Sequence, residues 1–179
     1  WIGLVGSEMC IRDSYNTVWG VIIGSGFGGS FVHNKKVVEG VNQVAGDWGH
    51  QPLPYPSKEE WDLNLKCPVD NCGRPLCAEQ FISGIGFTNI FNRKYKTNFT
   101  TKEIVDLELN GDERAKKEFD LYEDRFARLI AVMIGIVDPD VIILGGGMSN
   151  IERLYSNIPK LLPKYTFSDK VRNKILRNT

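Results

Sequence analysis

The stretch from Asp112 to Asn150 sets the tightest limit on the fold. Phe119, Tyr122, Phe126, Leu129, Ile130, Met133 and Val137 recur at steps of three and four. That spacing predicts a helix from about Asp112 to Val137 with one buried stripe. Asp138-Pro139 stops it, because proline disfavours the helical conformation in the residue before it. Val141 to Leu144 is then a short, fully apolar run and reads as a buried strand. Gly145, Gly146 and Gly147 break that strand, and Ser149 or Asn150 can cap a further helix to about Leu162. Strand, glycines and helix start form a geometry that can hold an anion or a nucleotide. Taken alone, the same glycines also fit an ordinary tight turn.

A second glycine segment lies near the start. Thr17 to Ile23 is rich in β-branched and aromatic residues and reads as a strand. Gly24-Ser25-Gly26-Phe27-Gly28-Gly29 follows and matches the dinucleotide pattern G-x-G-x-x-G by letter. That pattern requires a helix next, whereas Ser30-Phe31-Val32-His33 is strand-like. A hairpin with a glycine-rich tip fits better. Its backbone N–H groups can form a nest around phosphate oxygens, with Ser25 adding a hydroxyl. A tight hairpin turn needing positive φ explains the glycines equally well in isolation. Two such loops in one chain favour the phosphate reading.

Beyond the hairpin, Asn34-Lys35 reads as a turn and Lys36 to Glu39 as a short third strand, with His33 at the surface. Residues 51–66, with three prolines, read as an irregular excursion. Glu79 to Tyr95 has roughly helical spacing, weakened by Gly84 and Gly86. Thr100-Thr101-Lys102-Glu103 resembles a capping box, predicting a helix over about 101–108.

The chemistry-bearing cluster lies in the middle. Three of the four cysteines, Cys67, Cys72 and Cys77, follow His50, one of two histidines. Three thiols and an imidazole suffice for a closed tetrahedral zinc site. The alternative is that the thiols are small buried hydrophobes, but Cys67 to Cys77 is polar and proline-bearing. Asp47 and Glu79 flank the cluster, and a metal knot draws them near one point. Acids gathered there can accept hydrogen bonds from vicinal sugar hydroxyls; a lone Asp or Glu is more often a solvated surface group.

Composition narrows the class. Hydrophobic residues make up 42%, charged residues 25%, and formal net charge is zero. A neutral chain argues against nucleic acid or an anionic membrane as partner. The basic stretch Lys160 to Arg177 reads as a solvated helix face. No apolar run approaches a membrane span. Clustered thiols without a signal peptide point to a reducing compartment, the cytoplasm. Residues 1–14 read as a non-native leader, with Cys10 incidental.

Assembled, these residues make the chain similar to ROK-family sugar kinases of the fructokinase type. The family pattern is Gly-Glu-x-Gly-His, then Cys-x-Cys-Gly-x-x-Gly-Cys-x-Glu. Here it reads Gly46-Asp47-Trp48-Gly49-His50, then Cys72-Gly73-Arg74-Pro75-Leu76-Cys77-Ala78-Glu79. Phe81-Ile82-Ser83-Gly84, Asp138-Pro139-Asp140 and Leu144-Gly145-Gly146-Gly147-Met148-Ser149-Asn150 extend the match over roughly 17–165. There are departures. Asp47 replaces a glutamate, Leu76 replaces a glycine, and Cys67 is displaced from the family's first cysteine, where Asp70 stands; Cys67 is the preferred fourth ligand.

The resemblance implies an α/β, actin/hexokinase-like (ribonuclease H-like) C-terminal lobe with a zinc-binding loop, over 15–179. It implies an ATP-dependent hexose phosphotransferase, with fructose first and glucose, mannose or N-acetylglucosamine open. Gly24, Ser25, Gly26, Gly28 and Gly29 then face the triphosphate, and Gly145, Gly146 and Gly147 the adenosine. His50, Cys67, Cys72 and Cys77 hold structural Zn²⁺; Asp47, His50 and Glu79 approach the sugar; Mg²⁺ bridges the phosphates. The family's N-terminal lobe, with its phosphate loop and catalytic Asp, is expected before Tyr15, and the end of the C-terminal lobe after Thr179. The 179 residues alone are therefore expected to lack turnover. A homodimer of the full-length protein stays open. The rival readings are a ROK-type sugar-responsive repressor and a zinc-stabilised sugar-binding domain.

Overall fold

The computed structural model describes residues 15–63 and 72–178. The expectations for residues 1–14, Cys10, Cys67 and Asp70 lie outside them. The described residues form one mixed sheet of five strands, ordered β3-β2-β1-β4-β5. Strand β1 (Thr17–Ile23) pairs antiparallel with β2 (Phe27–His33), and β2 with the short β3 (Lys36–Val37). On its other side β1 runs parallel to β4 (Val141–Gly145), which runs parallel to β5 (Lys174–Arg177).

The side chains of β1 alternate as a pleated strand requires. Trp19, Val21 and Ile23 join the main core, whereas Val18 packs with Val32, Val141 and Ile143 in a separate cluster. The main core is completed by α5 (Glu113–Val137), whose stripe of Phe119, Tyr122, Phe126 and Ile130 is fully buried. This is the long helix expected from the sequence. Asp112 caps it through bonds from the amides of Arg114 and Ala115, and Asp138 closes it at φ +41°. The Asp138-Pro139-Asp140 motif also has a job in the sheet. The Asp140 carboxylate accepts from the amides of Asn16 and Thr17 at 3.0 and 2.9 Å, fixing the entry to β1.

Four shorter helices bring other segments onto this frame. They are α1 (Lys58–Asp62), α2 (Glu79–Ile82), α3 (Gly84–Tyr95) and α4 (Thr101–Leu109). The capping box at Thr100 and Glu103 is present in both halves. A sixth helix, α6 (Arg153–Leu161), follows the second glycine segment.

Several boundaries differ from expectation for physical reasons. The single helix over 79–95 is split at Ser83, which is extended and caps α3 through the Gly86 amide. A Cβ on Gly86 would lie 2.4 Å from the Gln80 carbonyl, so the two helices meet only because Gly86 lacks one. The third strand stops at Val37. The excursion over 51–66 contains α1, which its own Ser57–Glu60 capping box starts. Ser149 and Asn150 do not cap a helix: a 3₁₀ turn spans Gly147–Asn150, and α6 begins at Arg153. The basic stretch 160–177 is not a helix face, since it holds the end of α6, a 3₁₀ turn (Leu162–Lys164) and the edge strand β5. Among the described residues no helix is long and apolar enough to cross a membrane.

Candidate functional site

Because β1 and β4 are parallel neighbours, both glycine segments leave the sheet at the same edge; Ile22 pairs with Gly145. Crevices outside the carboxyl ends of parallel strands are where open α/β sheets bind ligands. A cavity of about 530 Å³ lies there. The hairpin turn contributes Gly24 and Ser25, and the second glycine segment contributes Gly147, Met148 and Asn150. Gly84 and Ile85 from the start of α3, and Thr101, Lys102 and Val105 from α4, line the opposite side.

Close backbone approaches hold these walls together. The Gly84 amide donates to the Gly24 carbonyl at 2.8 Å. A Cβ on Gly84 would sit 3.1 Å from that oxygen. Gly146 adopts φ +84°, and a Cβ there would lie 2.6 Å from the Ile23 carbonyl. The Ser149 hydroxyl and amide both donate to the Gly146 carbonyl, at 2.7 and 3.1 Å, which sets the turn.

The hairpin turn is shorter than the sequence suggested. It comprises Gly24, Ser25 and Gly26, closed by the Gly24 amide on the Gly26 carbonyl at 3.0 Å. Gly28 and Gly29 lie inside β2, opposite Ile22 and Val21. Gly29 answers a packing need, since a Cβ there would meet the Gly20 carbonyl at 2.6 Å and both the Trp19 and Trp48 indole nitrogens at 3.0–3.1 Å. Gly145 is the buried last residue of β4.

A second cluster stands next to the hairpin. His50 Nδ1 lies 3.4 Å from Cys77 Sγ. The ligand atoms of His50, Cys72 and Cys77 all fall within 4.8 Å of one another. Neighbouring ligands around a tetrahedral zinc ion sit about 3.5–4 Å apart, so this set fits such an ion with small adjustment. Three of the four expected ligands are thus together; the fourth, Cys67, lies outside the described residues.

The cluster sits on a backbone frame. Residues 49–53 run against 76–79: the amides of Leu53, Ala78 and Glu79 donate to the carbonyls of Leu76, Gln51 and Gly49 at 2.8–2.9 Å. Leu76, which stands where the family pattern has glycine, is at φ +55°. The left-handed conformation survives the substitution, and the buried Leu76 side chain joins the core in exchange for the strain. Gly49 touches the hairpin so closely that a Cβ would be 1.9 Å from the Phe27 carbonyl.

The two expected carboxylates differ. Glu79 is 5% exposed, and its Oε2 accepts from the Phe27 amide at 2.9 Å, tying the start of α2 to the hairpin. Asp47 is exposed. Its neighbour Trp48 is buried against Phe27 and Trp19, at ring-centroid distances of 4.9 and 5.6 Å. The sequence reading missed the α3 and α4 walls of the cavity. A signal existed in Gly84, a glycine that weakens a helix pattern and therefore marks a close backbone approach.

Comparison with known proteins fits this architecture. The ROK family matches residues 7–178. The N-acetyl-D-glucosamine kinase of Photobacterium profundum is 35% identical over 164 residues, covering 90% of this chain and 53% of that protein. The protein of the same name from Haemophilus influenzae is 38% identical over 156 residues, covering 86% and 51%. The chain spans about half the length of the curated relatives it matches. Among solved structures, the ROK hexokinase from Thermus thermophilus superposes with a TM-score of 0.81 at 19% identity, over 97% of this chain and 56% of that one. A ROK-family glucokinase from Streptomyces griseus, in complex with glucose and AMPPNP, gives 0.78 at 19% identity over 98% and 60%. A ROK-family transcriptional regulator, a homolog of the E. coli MLC protein, gives 0.78 at 16% identity over 97% and 45%. At such identities the structures establish the fold, the α/β, actin/hexokinase-like class expected from the sequence.

Proposed function

The chain belongs to the ROK family, and from that premise we propose that the full-length protein transfers a phosphoryl group from ATP to a hexose hydroxyl. The observation that carries this reading is the convergence of both glycine turns on one cavity at the carboxyl ends of parallel strands. Gly24, Ser25 and Gly26 face the phosphates, and Gly145 to Gly147 the adenosine. The apolar side chains of Ile85, Val105, Met148 and Ile151 around that cavity suit a flat base. Mg²⁺, when bound with the nucleotide, neutralises charge on the phosphates.

His50, Cys72 and Cys77, with Cys67 as fourth ligand, hold a structural zinc ion that braces the wall of the sugar site. Asp47, His50 and Glu79 orient sugar hydroxyls from that wall. Among hexoses we place N-acetylglucosamine first, ahead of fructose, because the relatives at 35% and 38% identity carry that name. The fold is shared with a transcriptional regulator, so fold alone does not choose between enzyme and repressor. The cavity at the glycine turns favours the enzyme.

The test is a coupled phosphorylation assay of the full-length protein with ATP and Mg²⁺ over N-acetylglucosamine, glucose, mannose and fructose. Turnover fastest with N-acetylglucosamine is expected. Absence of sugar phosphate with every hexose would overturn the kinase reading; a clear preference for another hexose would overturn the substrate assignment alone.

A further inference from the structure

The side chains around the cavity divide by what they can offer a base. Ile85, Val105, Met148 and Ile151 provide apolar surface. Ser25 belongs to the hairpin turn, on the phosphate side. The Thr101 hydroxyl is engaged, 2.7 Å from Thr88 Oγ1 and 3.5 Å from the Gly84 carbonyl. Lys102 only donates. Asn150 is different, because a carboxamide gives and takes hydrogen bonds at one edge.

Its orientation is set. Asn150 Nδ2 donates to the Gly147 carbonyl at 3.2 Å. Turning the amide over would point one carbonyl oxygen at another, so the NH₂ stays toward the turn. That leaves Oδ1 and the second N–H for a ligand. A purine with a donor beside an acceptor complements such an edge; adenine presents this through its 6-amino group and a ring nitrogen. Hypoxanthine carries a 6-oxo group in the same place, an acceptor against an acceptor. Accepting it costs the contact or the bond to Gly147.

We propose that Asn150 reads the nucleobase and makes the protein select a 6-aminopurine over a 6-oxopurine nucleotide. The inference rests on the reading of this cavity as the nucleotide site. Asn150 is exposed and outside the core, so its replacement leaves packing intact. The selectivity expected from a paired amide contact is roughly tenfold or more.

The experiment measures kcat/KM of the full-length protein for ATP and ITP at saturating hexose, in the parent and in N150A. Calorimetric binding of the two nucleotides supplies the same ratio without turnover. The parent should favour ATP about tenfold or more, and N150A should bring the ratio to within about twofold. The KM for hexose should stay unchanged, since Asn150 acts on the base. An ATP:ITP ratio near one in the parent, or a ratio unaltered by N150A, would overturn the proposal. If no nucleotide supports phosphorylation of any hexose, the kinase reading falls, while the calorimetric ratio still decides the role of Asn150.

Discussion

Replacing Glu60 tests how the excursion before Cys72 and Cys77 is held. Glu60, Arg125 and Arg128 form a buried ionic triad in which each side chain is 4–5% exposed. Glu60 Oε1 accepts from Arg125 Nε at 2.9 Å and Arg128 Nη2 at 2.6 Å. Oε2 accepts from Arg128 Nη1 at 3.2 Å and from the Ser57 amide at 2.8 Å. Arg128 Nη1 also donates to the carbonyls of Pro54 and Tyr55, both at 2.8 Å. One carboxylate therefore fixes α1 and residues 54–57 against the middle of α5. In E60A two guanidinium groups stay buried, and among the described residues the remaining ion pair is that of Arg128 Nε with the partly buried Asp124 at 3.2 Å. Removing one partner from a buried charge network costs about 3–5 kcal/mol. That corresponds to a fall in Tm of roughly 10 °C for a chain near this size. Urea denaturation followed by far-UV circular dichroism measures it. The exposed pair Lys58–Asp62, 2.6 Å apart, is the control: D62A should cost less than about 1 kcal/mol. A loss below about 1 kcal/mol in E60A would refute the reasoning that this triad anchors the segment.

The same group makes a pH prediction. Burial pushes the Glu60 carboxyl up, but hydrogen bonds from Arg128, Ser57 and Arg125 outweigh it and hold it below the ordinary value of 4.5. Its stabilisation is therefore complete above pH 4.5 and is lost as pH falls through the lower folded-state value. The difference in stability between parent and E60Q should shrink below pH 4.5, and a difference that grows there would contradict the assignment.

Three further outcomes follow from the packing and the cluster. G29A should lose about 1–3 kcal/mol and alter tryptophan emission, because its Cβ meets the Gly20 carbonyl at 2.6 Å and two indoles nearby. Denaturation and fluorescence check this, and parent-like values would mean the strands part at no cost. Y122F should lose about 1–2 kcal/mol, since the fully buried hydroxyl donates to the Ile82 carbonyl at 2.9 Å; denaturation reads it directly. Elemental analysis should find about one zinc per chain, falling severalfold in C77S; a metal-free parent would remove the zinc proposal.

The elements that the sequence revealed are those whose pattern is local. The stripe from Phe119 to Val137, the apolar run Val141–Leu144 and the Thr100–Glu103 box each carry their period or cap in consecutive residues, and each is present. The proximity of His50 to Cys77, 27 residues on, was legible because metal-ligand residue types are few. What was not legible depends on residues far apart. The break at Ser83 comes from the Gly84 amide bonding the Gly24 carbonyl across the fold. Strand β5 is a basic, irregular segment in sequence, and pairing with β4 makes it a strand. Gly28 and Gly29 looked like loop residues. Gly29 is required first by the Gly20 carbonyl and then by the Trp19 and Trp48 indoles, contacts that no one-dimensional pattern shows.

These contacts change what the metal is needed for. From spacing alone, the ion would be the only thing gathering His50 and the thiols. In the fold, His50 and Cys77 lie on opposed backbone segments joined by three amide–carbonyl bonds. Leu53, Leu76 and Ala78 bury those segments in the main core. Fully burying one leucine side chain contributes about 1.5–3 kcal/mol, so this frame has its own source of stability. The Glu60 triad fixes the chain just before the cysteine-bearing stretch, and Arg93 donates to the Leu63 carbonyl at 2.7 Å. A zinc finger lacks such supports and unfolds without metal. An ion bound there would meet His50, Cys72 and Cys77 with their ligand atoms already within 4.8 Å of one another, so it would add to a frame that stands on its own contacts. Chelation should therefore leave the far-UV circular dichroism of the sheet and of α5 nearly unchanged. Loss of the whole far-UV signal on chelation would show instead that the frame does not stand without the ion.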